Sequence, residues 1–77
     1  MIYIDVRTKM EYDMGHKDGA MHFDIMDIMQ GSAPDLSKDE EIILYCESGN
    51  RAMMAKHMLE DMGFRNVTNG GGLDEVL

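Results

Sequence analysis

The chain has 77 residues, enough for one domain with one hydrophobic core and too few for a second. Hydrophobic residues make up 44% and charged residues 29%, which excludes a disordered chain and predicts a fold with little stability to spare. The formal net charge of −8 disfavours nucleic acid and anionic membrane surfaces as partners, and no apolar stretch approaches the roughly 18 residues needed to span a bilayer. With no secretory leader ahead of an apolar run, the cytoplasm is the expected compartment.

Ile2 to Val6 is rich in β-branched residues and predicts a buried strand with no element before it. Thr8 caps a short helix over Lys9 to Met14, with Glu11 at the third helical position as in a capping box and Gly15 as the stop. Ala20 to Phe23 reads as a brief second strand. Ile25, Met26, Ile28 and Met29 are spaced for one or two helical turns, and Gly31 to Pro34 mark a loop. The acidic residues Asp39, Glu40 and Glu41 form a solvated turn before Ile42 to Tyr45, a continuous apolar run suited to a strand buried on both faces of a parallel sheet.

Arg51 to Met62 predicts the main helix, about 18 Å long at 1.5 Å per residue, with Ala52, Ala55, Met58, Leu59 and Met62 on its inner face and Gly63 as its stop. Asn66 to Thr68 offers a last short strand, followed by a flexible turn at Gly70, Gly71 and Gly72 before Leu73 to Leu77. Strands alternating with helices predict right-handed βαβ units, an α/β fold around a mainly parallel sheet flanked by helices. The ten methionines are expected to fill irregular gaps in the core.

One cysteine cannot staple the fold or build a structural zinc site, so Cys46 matters only as a thiol. It stands in Cys46-Glu47-Ser48-Gly49-Asn50-Arg51, where a strand gives way to a loop and the loop to a helix, the edge of an open α/β sheet at which functional groups gather. Backbone N–H groups of such a loop, with a helix N-terminus behind them, stabilise an anion at its centre. A helix N-terminus with a nearby cation favours the thiolate, and Arg51 is the local cation. The alternative is a small hydrophobe buried at a strand end, which Gly49 and Arg51 argue against.

Ile4-Asp5-Val6-Arg7, Glu11-Tyr12, Gly15-His16, Gly19-Ala20, Leu44-Tyr45-Cys46 through Gly49-Asn50-Arg51, and Gly71-Gly72-Leu73 resemble the rhodanese family in order and spacing, from Ile2 to Leu73. The resemblance implies a small, N-terminally shortened rhodanese-like domain and a ping-pong sulfurtransferase. In it Cys46 takes sulfur from thiosulfate or a persulfide, becomes a persulfide and passes the sulfur to a thiophilic acceptor, cyanide in the laboratory and a thiol or protein in the cell. It implies no metal or cofactor, and a monomer is expected.

By the same resemblance, Glu47 to Arg51 form the active loop, with Arg51 holding it, and Asp5 and Arg7 support it without touching substrate. The other reading of Arg7 is a partner of Glu11 on a partly exposed surface. His16 is expected to hold the fold, while His22 and His57 are expected to be solvated. A loop of the form Cys-x4-Arg favours sulfur over the wider Cys-x5-Arg cradle of related phosphatases. Glu47, beside Cys46, should oppose dianionic thiosulfate, and Glu11 places a second acid where some members carry an arginine that binds substrate. The alternative function is a catalytically weak or inactive rhodanese-like binding module, which would tolerate Cys46→Ser.

Overall fold

The computed structural model describes all residues from Met1 to Leu77. Four parallel strands, β1 (Ile2–Asp5), β2 (Met21–His22), β3 (Ile42–Cys46) and β4 (Val67–Gly72), form one sheet in the order β2-β1-β3-β4. Helices α1 (Lys9–Met14), α2 (Ile25–Met29) and α3 (Asn50–Asp61) make the crossovers, and α4 (Leu73–Val76) closes the chain. The alternation of strand and helix expected of an α/β fold is therefore realised throughout, and every strand pair is parallel.

Strand alternation sorts the two faces of the sheet. Ile4 and Val6 from the β1 segment and Ile42, Leu44 and Cys46 from β3 join Ile25, Ile28, Ala52, Ala55, Leu59, Phe64 and Val67 in the hydrophobic core. Their neighbours in the chain, Asp5, Arg7 and Tyr45, are also buried but lie outside that cluster. The run Ile42 to Tyr45 is thus covered on both faces, one apolar and the other built around a polar network.

The local signals behave as their chemistry requires. Thr8 accepts the Glu11 N–H, and the Glu11 carboxylate accepts the Thr8 N–H at 3.1 Å, closing the capping box. Helix α2 gains a cap from Asp24, whose carboxylate accepts the Met26 N–H at 2.9 Å. The principal helix begins and ends one residue earlier than its apolar spacing suggests, and it buries Ala52, Ala55 and Leu59.

Two expectations fail. The methionines do not fill the core: Met58 and Met62 pack partly against it, whereas Met1, Met10, Met14, Met21, Met26, Met29, Met53 and Met54 are exposed. Helices this short bury one narrow stripe, and isoleucine, alanine and leucine already occupy it. The glycine run is not a flexible turn either, because Gly70 to Gly72 continue β4 and pair with β3 across a register shift between Leu44 and Cys46. Backbone hydrogen bonding, which needs no side chain, carries that strand to its end.

Candidate functional site

Cys46 is the last residue of β3 and is only 1% exposed. The chain then turns through Glu47, Ser48 and Gly49 and enters α3 at Asn50. Gly49 is the N-cap residue with φ of 96°, a left-handed conformation that suits glycine, and it brings no side chain to cap the helix. The Cys46 sulfur takes that place. Its Sγ lies 3.0 Å from the Gly49 backbone N and 3.4 Å from the Ala52 backbone N, so two otherwise orphaned N–H groups of the helix start point at sulfur. This geometry suits a sulfur anion at the positive end of a helix.

The opposite side of the loop is set by β4, and sequence reasoning missed it. Asn69 donates from Nδ2 to the Gly49 carbonyl at 3.1 Å and accepts the Gly71 N–H at 2.9 Å. The Gly72 N–H donates to a Glu75 carboxylate oxygen at 2.9 Å. A Cβ on Gly72 would stand 2.3 Å from the Glu47 carbonyl oxygen, so the loop lies directly against strand backbone. The only signal available in the sequence was the run Asn69 to Gly72, whose natural reading is a turn.

Arg51, expected as the cation nearest Cys46, directs its guanidinium to Glu11. The two make a bidentate pair, Nη1 to Oε1 at 2.7 Å and Nη2 to Oε2 at 2.9 Å, between residues 40 apart in sequence. Arg51 holds the Glu11 carboxyl down at about 2, with Thr8 assisting. In return Glu11 raises the Arg51 pKa, and the nearby Cys46 adds to that shift.

Arg7 does not pair with Glu11 and is not on the surface, being 3% exposed. Its Nε and Nη2 grip the Asp5 carboxylate at 2.7 to 3.1 Å, its backbone N–H reaches the same carboxylate at 2.9 Å, and Nη2 also donates to the Gly15 carbonyl at 2.7 Å. The hydrogen bonds to Asp5 raise the Arg7 pKa. Arg7 lies over the ring of Tyr45, whose hydroxyl accepts the Lys17 N–H at 3.1 Å. Burial raises the Tyr45 phenol pKa. This network ties the end of β1 and the α1–β2 connection to the residue immediately before Cys46.

His16 stacks on Tyr12, ring centroids 3.6 Å apart, and its Nδ1 donates to the Tyr12 carbonyl, consistent with a role in holding the fold. His57 is solvated as expected, with 67% of its side chain exposed. His22 is not: it is half-buried, and its Nε2 donates to the Arg7 carbonyl at 2.7 Å because β2 pairs alongside β1. No group of three or more histidine, cysteine, aspartate or glutamate side chains is placed to hold a metal ion. No helix is long and apolar enough to cross a membrane.

The family described as Rhodanese-like domain matches residues 1–76. The thiosulfate sulfurtransferase PspE of Escherichia coli is 32% identical over 77 residues, spanning 96% of this chain and 72% of that protein. The putative sulfur carrier protein YrkF of Bacillus subtilis is 33% identical over 66 residues, and there the chain spans only 35% of the relative. A solved E. coli rhodanese with anions superposes with a TM-score of 0.81 at 31% identity, covering 96% of this chain and 88% of that one. With this match added to a cysteine at the strand-to-helix junction of a parallel α/β sheet, the chain belongs to the rhodanese-like domain family, whose single-domain members include sulfurtransferases.

Proposed function

We propose that the protein is a sulfurtransferase that carries sulfane sulfur as a persulfide on Cys46. The observation that supports this best is the pair of backbone N–H groups, from Gly49 and Ala52, aimed at Cys46 Sγ where α3 begins. The Cys46 thiolate attacks the outer sulfur of thiosulfate or a persulfide. The donor's S–S bond breaks, and sulfite or a thiolate leaves with the bonding pair. An acceptor thiolate, or cyanide in the laboratory, then attacks the outer sulfur of the Cys46 persulfide and regenerates the thiolate.

Glu47, Ser48, Gly49, Asn50 and Arg51 form the loop around the sulfur, and Arg51 anchors it through Glu11. Asp5 and Arg7 support it from behind through Tyr45. No metal or cofactor enters this scheme. A lone free thiol suits the reducing cytoplasm. A small-molecule donor and a thiol or protein acceptor fit relatives described as a sulfurtransferase and a sulfur carrier.

Intact-mass spectrometry tests the reading, with thiosulfate and with glutathione persulfide as donors, on the wild type and on Cys46→Ser. One added sulfur on the wild type alone is the expected result. No adduct from either donor would favour the second reading, a rhodanese-like binding module, for which the slight exposure of Cys46 is the supporting observation.

A further inference from the structure

Two arginines belong to the machinery around Cys46, and both are committed to carboxylates: Arg7 to Asp5 and Arg51 to Glu11. The Glu11–Arg51 pair is bidentate and contributes no net charge to the mouth of the loop. Glu47 adjoins Cys46, is exposed and has no ion-pair partner. Across the loop, Glu75 is also exposed, and its only partner is the Gly72 N–H. The loop therefore offers an incoming donor backbone N–H groups and uncompensated negative charge, and no free cation.

Resting on the sulfurtransferase reading, we propose that Glu11 and Glu47 set donor choice, Glu11 by sequestering Arg51 and Glu47 by standing unpaired beside Cys46. The site then favours a hydropersulfide carried on a cationic or neutral thiol and disfavours dianionic thiosulfate. Thiosulfate brings two charges into this field, and its sulfite leaving group keeps both. With a hydropersulfide, the Cys46 thiolate attacks the terminal sulfur, the donor S–S bond breaks, a single thiolate leaves, and the S–H proton stays on the transferred sulfur. No oxidant or reductant is needed. An ammonium on the carrier gives the donor a net positive charge, is drawn to Glu47 and offsets the thiolate that leaves.

The test is the rate of Cys46 persulfidation, read by quenched-flow mass spectrometry, with thiosulfate and with 2-aminoethyl hydropersulfide at low and high ionic strength. Glu47→Gln is expected to raise the thiosulfate rate about fivefold at low ionic strength, with the gain shrinking as salt screens it, and to lower the aminoethyl persulfide rate. Glu11→Gln, which frees Arg51, is expected to shift the ratio of the two rates toward thiosulfate, even if looser support for the loop slows both. A ratio that neither variant moves would overturn the proposal. The absence of any sulfur adduct on the wild type from either donor would overturn the sulfurtransferase reading itself.

Discussion

Asp5 and Arg7 form an ion pair with almost no solvent around it, at 0% and 3% exposure. Breaking such a pair from one side leaves an uncompensated buried charge. Asp5→Asn is therefore expected to cost about 3 kcal/mol in urea denaturation, and the double variant Asp5→Asn, Arg7→Met to recover part of that loss. Glu11 makes a different kind of pair, partly open to water, and its carboxyl is lowered from 4.5 to about 2 by Arg51. A depressed carboxyl pKa stabilises the fold at pH values above the unfolded value, and that contribution is lost as pH falls through the folded one. Solvent screening limits it to about 1 kcal/mol. The wild type should exceed Glu11→Gln by that amount at neutral pH, with the difference shrinking below the unfolded value of 4.5 and vanishing as pH falls through about 2. Paired urea titrations across this range check it.

At the level of elements, the active loop is gripped between the start of α3 and the end of β4. Gly72 has no room for a side chain, since a Cβ there would press on the Glu47 carbonyl. Gly72→Ala must move the loop or the strand, and displacements near 1 Å at a reacting centre cost rates on the order of a hundredfold. The expected outcome is a drop of at least about tenfold in the rate of Cys46 persulfidation, with a stability loss of about 1–3 kcal/mol by urea denaturation. This dependence was not legible in Asn69-Gly70-Gly71-Gly72, because glycine advertises freedom while its actual use here is close backbone approach. The start of α3 was legible: the apolar run up to Tyr45, the glycine at position 49 and the small-residue stripe of Ala52 and Ala55 locate strand, cap and helix from their own chemistry. The exposure of most methionines was not, since spacing shows which residues share a face and not which face wins the core.

For the whole molecule, a chain of this size holds on the order of 5 kcal/mol of net stability. Leu59 is fully buried on α3, within the core shared with β1 and β3. Leu59→Ala should cost about 3 kcal/mol and lower Tm by roughly 15 °C, as differential scanning calorimetry would show. The uneven faces of the sheet matter here. Core substitutions away from Cys46 and Ala52, such as Leu59→Ala, should reduce stability and leave the loop's hydrogen bonds in place, whereas changes in the Asp5–Arg7–Tyr45 network should reach Cys46 through the neighbouring residue of β3.

The sequence by itself determined the order of strands and helices, the junction that carries Cys46, and the capping of α1, because each depends on residues a few positions apart. It also carried the family resemblance, which runs from Ile2 to Leu73. Only the tertiary structure decided the partner of Arg51, the contact of Asn69 with Gly49 and the seat of His22 against Arg7. Those pairs join residues 40, 20 and 15 positions apart. Which of them meet follows from the sheet order β2-β1-β3-β4 and its register, set by the packing of the whole core.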